Sequence, residues 1–199
     1  FTGRTFEIEV FPFSFEEYRL YSDEGEVDCD FDEYARTGGM SGSYPYPLQE
    51  QRYQYLSNVF KTLIVRDIVQ RHNVRNESAL LRIADYMMDN VSNITSARNI
   101  TDVLNADGQD YEKDGRHYKV RRYDIRGKKY LKSGEKYYLA DHAFKYALLG
   151  TRDMDWGRVY ENMVAIELLR RGYEVYVGVL YKKEINFVAI KRSEKLYIR

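Results

Sequence analysis

The spacing of apolar positions predicts an α+β chain whose last third forms one helix followed by three strands. Between Trp156 and Leu169, apolar residues recur every three or four positions, which is typical of a helix with one buried face. Asp155 is suited to cap the start of this helix, and Gly172 is the residue expected just after its end. Alternating apolar positions then predict strands at 173–179, 184–190 and 196–198.

The first half of the chain has the pattern of a short strand followed by several helices. Phe6, Ile8 and Val10 alternate with acidic residues and predict the strand. Ser14 and Glu17 have the spacing of a capping box, which predicts a short helix beginning there. The predicted helices after it run from Asp30 to a stop at Gly38–Gly39, over 48–72, from a cap at Asn76 to Met88, and over 93–105.

Residues 117–141 predict two or three strands, with a hairpin turn at 126–128, and a short helix follows over 142–149. Basic residues are concentrated in this hairpin and alternate with tyrosines, a composition that can bind phosphates and stack bases. A solvated hairpin with charged edges has the same composition, so DNA contact stays one of two interpretations. The candidate nucleic-acid-binding residues are Lys119, Arg121, Arg122, Arg126, Lys128 and Lys129.

The overall composition restricts the classes of function that the chain can have. The 31 basic and 31 acidic residues balance, so nucleic-acid binding would depend on a local patch. The single cysteine, Cys29, excludes an internal disulfide and fits the reducing cytoplasm. No apolar run approaches the length of about 18 residues that a membrane span needs, so no membrane partner is predicted. No G-x-x-x-x-G-K-[S/T] motif is present, so we expect these residues alone to bind no ATP.

An ordered set of short motifs along nearly the whole chain resembles one protein family. The motifs are Phe11–Glu17, Gly38–Met40, Val65–Ile68, Tyr123–Lys128, Lys136–Asp141, Gly157–Asn162, Glu167–Tyr176 and Glu184–Val188. The set resembles the C-terminal part of prokaryotic AAA-type ATP-binding proteins. In that family a P-loop ATPase domain precedes a domain of unknown function, whose end is similar to PD-(D/E)xK nucleases.

The resemblance implies a division of the chain into three regions. Residues 1–20 would be the tail end of the ATPase domain, and 21–110 a helical, winged-helix-like region. Residues 111–199 would be a nuclease-like α/β domain, with a mixed sheet flanked by helices. We expect the helix that begins at Trp156 to pack on a sheet formed by the strands around Tyr138, Val175, Phe187 and Tyr197. The family pattern includes a further helix before the strand at 117, and residues 108–118 do not supply it.

The resemblance also implies a degenerate nuclease site. Glu161 matches the acid in the helix and Glu184 lies at a strand start, but Asn186 replaces the acid that would bind the metal. Arg199 stands near the next acid position. Lys191 and Lys195 fall in or beside a turn, so we expect neither to serve as the catalytic lysine. We therefore expect no working metal site, with Glu161 anchoring its helix on strand backbone or pairing with a base such as Arg158.

The function expected from the resemblance is that of a C-terminal interaction or effector region in a cytoplasmic AAA-type ATP-binding protein. ATP and magnesium would belong to the N-terminal ATPase domain, and these residues would hold no cofactor of their own. The expected partners are that ATPase domain and a further protein. The alternatives are a metal-dependent nuclease and a DNA-binding module without catalysis.

Overall fold

The computed structural model describes residues 8–23, 31–63, 68–69, 77–96, 98–100, 102, 117–124, 129–151, 155–180 and 183–199. Within these ranges, 23, 117–120, 123–124 and 129–133 are described by their backbone alone. The helices are α1 Phe15–Asp23, α2 Phe31–Thr37, α3 Gln49–Thr62, α4 Glu77–Asp89, α5 Ala143–Leu149 and α6 Trp156–Arg170, with a short 3-10 helix at Ser41–Ser43. The strands are β1 Ile94–Thr95, β2 His117–Asp124, β3 Lys129–Leu139, β4 Glu174–Leu180, β5 Lys183–Lys191 and β6 Glu194–Ile198.

The strands form one mixed sheet in the order β1-β3-β2-β4-β5-β6. Only the pairing of β2 with β4 is parallel; the other neighbouring pairs in this sheet are antiparallel. A parallel pair needs a long connection, and here the chain between β2 and β4 includes β3, α5 and α6. The α+β class, the hairpin at 117–139 and the C-terminal order of helix and three strands are therefore confirmed.

Local capping signals define the ends of α1 and α6 as the sequence predicts. The Ser14 backbone N–H donates to Glu17 Oε2 at 2.7 Å, and the Glu17 N–H donates to Ser14 Oγ at 3.2 Å. The bonds that the Ser14 N–H and hydroxyl donate to the Glu17 carboxylate hold the pKa of this carboxyl below its usual range. At α6, the Arg158 N–H donates to Asp155 Oδ1 at 3.2 Å, and Gly172 follows the helix with φ +77°. These contacts satisfy backbone groups that a helix end leaves unpaired.

Helices cover both faces of the sheet. On one face, Ala165, Ile166 and Leu168 of α6 pack on Tyr138 and Phe187 of the sheet. On the other face, Met87 of α4 packs against Tyr137. A third cluster joins α3, α4 and α5 around the end of β3; it includes Leu56, Phe60, Met88, Leu139 and Phe144. The packing of the helix from Trp156 on the sheet is thereby confirmed.

Two predictions of secondary structure are wrong. Residues 8–10 are not in a strand, because no strand in the described part of the chain pairs with them, and Ile8 and Val10 are exposed; Phe6, the first position of this prediction, lies outside the described residues. Residues 94–95 form strand β1 instead of helix, because Ile94 pairs with Lys136 at the sheet edge. Helix resumes at 98–100, where the Asn99 N–H donates to the Ser96 hydroxyl. The predicted turn at 126–128 lies outside the described residues. So do residues 108–116, on which the winged-helix prediction depends.

Candidate functional site

Two glutamates and a lysine meet where α6 crosses the sheet. Lys136 Nζ lies 2.9 Å from Glu161 Oε1 and 2.6 Å from Glu184 Oε1. The three side chains come from β3, α6 and β5 respectively. The Lys136 side chain is 5% exposed and that of Glu161 is 13% exposed, whereas that of Glu184 is 36% exposed. A buried charge is costly unless it is paired, so the ammonium and the two carboxylates depend on one another.

Consecutive residues of α6 fix this cluster to β3. The Tyr138 hydroxyl donates to Glu161 Oε1 at 2.8 Å, so this one oxygen accepts from both Lys136 and Tyr138. Asn162 accepts from the Leu139 N–H at 2.7 Å and donates to the Leu139 carbonyl at 3.0 Å. These bonds set the register of the helix along the strand. Burial and the adjacent Glu161 carboxylate raise the pKa of Tyr138, which keeps its phenol protonated as a donor.

A bulge in β5 brings Glu184 onto the helix-facing side of the sheet. Tyr176 pairs with Val188 and Gly178 with Ile185, so three steps along β5 oppose two steps along β4. Side chains alternate in a regular strand, so Glu184 and Phe187 would otherwise point to opposite faces. With the bulge, Phe187 packs in the α6 core while Glu184 reaches Lys136. Bulges commonly redirect a side chain in this way beside functional sites.

The structure brings together two of the three acid-site residues named from the sequence. Glu161 and Glu184 meet through Lys136, whereas Asn186 is half-buried on the bulged part of β5. The described residues contain no group of three or more His, Cys, Asp or Glu side chains that could hold a metal ion. Lys191 and Lys195 lie away from the cluster: Lys191 donates to the Arg171 carbonyl, and Lys195 lies over the Tyr197 ring.

Glu161 does pair with a base, as one of the two predicted alternatives states, but the base is Lys136 and not Arg158, which was the example chosen from the sequence. Arg158 pairs with Asp155 at 2.9 Å, because the two residues are one helical turn apart. Glu161 instead pairs with Lys136, which sequence reasoning did not select as a site residue. One signal could have found it: Lys136 lies two positions before Tyr138 and therefore shares its buried face. A lysine on the buried face of a strand indicates a buried acid partner.

The basic hairpin does not form one uniform cationic face in the described residues. Arg121 is exposed and Arg122 is half-buried, and consecutive strand residues point to opposite faces. Arg122 pairs in register with Val177, whose side chain lies in the α6 core. Lys119 and Lys129 belong to β2 and β3, where only their backbone is described, and Arg126 and Lys128 lie outside the described residues. The prediction of DNA contact therefore stays a prediction.

A half-open cleft of about 560 Å³ runs along α6, and its lining does not include Lys136, Glu161 or Glu184. The segment before α1, helix α2 and strand β6 form its other walls. Apolar and aromatic side chains dominate the lining, among them Phe13, Phe15, Phe31, Tyr160, Met163 and Val164. A cleft of this volume and character is typical of binding sites.

The polar groups at the floor of the cleft are held by other parts of the protein. Asp141 Oδ2 accepts from the Gly39 N–H at 2.7 Å, and its Oδ1 accepts from the Ala143 N–H at 2.8 Å. The Tyr34 hydroxyl donates to the Phe13 carbonyl at 2.6 Å. Burial and the nearby Asp141 carboxylate raise the pKa of Tyr34. With these groups occupied, the cleft offers a binding partner mainly apolar and aromatic contacts.

The fold and the site define an α+β domain with a mixed six-stranded sheet and a lysine-bridged pair of glutamates. The chain belongs to the family of a domain of unknown function, DUF8612, whose model matches residues 28–155. Lys136 lies within the matched residues, whereas Glu161 and Glu184 lie beyond them.

Two relatives extend the similarity through the site. The chain is 33% identical over 216 residues to an uncharacterised protein of Haemophilus influenzae, across 100% of this chain and 53% of that protein. It is 21% identical over 206 residues to an uncharacterised protein of Methanocaldococcus jannaschii, across 93% of this chain and 46% of that protein. The chain thus spans about half the length of the curated relatives it matches. No solved structure matches it. Among the residues that the structure describes, no helix has the length and apolar character to cross a bilayer.

Proposed function

We propose that this chain is the C-terminal interaction or effector region of a cytoplasmic AAA-type P-loop ATP-binding protein, with a nuclease-like but catalytically inactive site. The ordered motifs from Phe11 to Val188 support the family assignment. The matched region is about half of each curated relative, which leaves room in those relatives for a further domain. ATP and magnesium would be bound by that domain.

The main observation that supports a catalytically inactive site is the position of Lys136. Mg²⁺ takes oxygen ligands in near-octahedral geometry at about 2.0–2.1 Å. Here an ammonium group lies between the two carboxylates that would have to supply such ligands, at 2.6 and 2.9 Å. Asn186, at the position of the family's metal-binding acid, contributes no negative charge. These residues do not fit a magnesium ion, and they do fit an internal ion pair that connects α6 to the sheet.

The same geometry supports a second candidate, a metal-dependent nuclease, because Lys136 is a lysine beside two acids. Nuclease catalysis needs carboxylates that are available to a metal. We expect no cleavage of single-stranded, duplex or branched DNA by this chain with magnesium or manganese. Cleavage by the purified protein that is lost in Glu161→Ala, and retained in the matched surface variant Glu167→Ala, would establish the nuclease in place of the inactive module.

The cleft beside α6 supports the interaction role. Its apolar lining includes Tyr160 and Val164, which are 37% exposed each, and apolar surface that a partner can cover favours association. The partner in this proposal is the ATPase domain of the same protein. Contact there would join the ATPase domain to the helix that carries Glu161.

A matched pair of substitutions tests this contact in the full-length protein. Val164→Lys places a charge in the cleft, whereas Leu180→Lys places one at the end of β4, at a residue with 36% exposure outside the cleft. We expect Val164→Lys to change the affinity for ATP about fivefold or more, the range of typical coupling between sites, and Leu180→Lys to leave it unchanged. Equal ATP affinities in both variants and the wild type, with both folded by circular dichroism, would remove the cleft from the proposal.

A further inference from the structure

Two carboxylate oxygens from different elements converge on one atom of the protein itself. Glu161 Oε1 and Glu184 Oε1 lie 2.9 and 2.6 Å from Lys136 Nζ. In Ca²⁺ sites the oxygen ligands lie at about 2.3–2.6 Å, so this point is only a few tenths of an ångström from the geometry of a divalent-cation site. The Tyr138 hydroxyl orients the Glu161 carboxylate toward the same point.

We infer that Lys136 is a built-in cation in the place of a divalent metal, and that shortening this one side chain opens a divalent-cation site formed by Glu161 and Glu184. The inference rests on the proposed nuclease-like arrangement and goes beyond it, because it assigns the loss of metal binding to a single residue. In the wild-type protein the Lys136 ammonium occupies the point toward which both carboxylates are directed.

The backbone around Lys136 allows a divalent cation to take the place of the lysine ammonium when the side chain is shortened. Lys136 lies in the interior of the sheet, paired with Ile94 on one side and Val120 on the other. Hydrogen bonds to two neighbouring strands hold that backbone in place, so a shorter side chain leaves a gap between the carboxylates without displacing β3. Glu184 is 36% exposed at the mouth of the gap, which gives a cation a path from solvent.

The net charge of the cluster also favours a divalent cation over the lysine ammonium. Two carboxylates carry two negative charges, of which Lys136 balances one. A divalent cation would balance both, and hard cations prefer anionic oxygen ligands.

The experiment measures Mn²⁺ binding by electron paramagnetic resonance and calorimetry with the whole chain. We expect no stoichiometric binding to the wild-type protein at millimolar Mn²⁺. Lys136→Ala should bind one Mn²⁺ with a dissociation constant at least about tenfold below millimolar, since two anionic ligands become available. Lys136→Met, which fills the gap, and Lys136→Ala/Glu161→Gln, which removes one anionic ligand, should lose this binding.

Three outcomes would overturn the inference. Binding to the wild type that Glu161→Gln abolishes would show that Lys136 does not close the site. Folded Lys136→Ala that binds no Mn²⁺ would show that Lys136 is only an ion-pair partner. If Lys136→Ala and Lys136→Ser are both unfolded, added Mn²⁺ should restore their circular dichroism, because a ligand of the native state stabilises it; failure to restore it also counts against the inference. Metal binding by the variants is independent of DNA cleavage by the wild type, so this result and the proposed function are tested separately.

Discussion

Lys136→Met is expected to lower the free energy of unfolding at pH 7 by about 3 kcal/mol, since removal of one partner leaves a buried charge uncompensated. Methionine keeps much of the buried stem and removes only the ammonium. Glu161, with its side chain 13% exposed, then lacks a counter-charge and faces the Glu184 carboxylate. Glu184 is more than a third exposed and is partly solvated, so most of the effect comes from Glu161. Urea unfolding followed by circular dichroism measures it.

A matched control separates this effect from the general loss of a lysine. Lys191 donates to the exposed Arg171 carbonyl, so Lys191→Met should cost less than about 1 kcal/mol. In the double variant Lys136→Met/Glu161→Gln the uncompensated charge is gone. We therefore expect its loss of unfolding free energy to be smaller than the sum of the two single losses by more than about 1 kcal/mol. If Lys136→Met is as stable as Lys191→Met, the ion pair does not hold α6 on the sheet.

Asp141→Ala is expected to destabilise the protein by about 3 to 5 kcal/mol, because each hydrogen bond to a charged group contributes about 1.5–3 kcal/mol. Asp141 is 2% exposed, and its carboxylate accepts from the Gly39 and Ala143 backbone N–H groups. Alanine leaves both N–H groups buried without these acceptors. Thermal and urea unfolding should both report the loss.

The control for Asp141 is an aspartate that also precedes a helix but lies at the surface. Asp155 caps α6 and is about half exposed, so Asp155→Ala should cost only about 1 kcal/mol. Gly38 gives an independent check: its φ is +78°, and a Cβ there would lie 2.2 Å from Asp141 Oδ1. Gly38→Ala should therefore also destabilise the protein. Equal stability of Asp141→Ala and Asp155→Ala would show that the buried contacts contribute little.

The sequence by itself determined the elements whose signals are local. The capping pair Ser14 and Glu17, the cap Asp155 and the terminating Gly172 act within four residues of the helix ends, and the structure has each of them. Alternation of apolar residues was sufficient for β4, β5 and β6, because every one of them has neighbouring strands or a helix to cover its apolar face.

Position in the predicted elements and the family resemblance together found part of the candidate site. Glu161 and Glu184 were selected from their places on a helix and at a strand start, and the structure joins them through one atom. Lys136 was not selected, since it is 25 residues from Glu161 and its pairing depends on the register of α6 along β3. That register is set by Asn162 and Leu139, whose contact the linear pattern does not indicate.

Only the tertiary structure decided the pairings that span distant parts of the chain. Ile94 belongs to a strand because Lys136 is its neighbour, although the local pattern predicts helix there, whereas the alternation at residues 8–10 gives no strand because no described strand pairs with it. Gly39 meets Asp141 across 102 residues. Helix caps and periodicity depend on side chains a few positions apart, whereas a buried charge or a strand edge is stabilised by whichever distant group the packing brings to it.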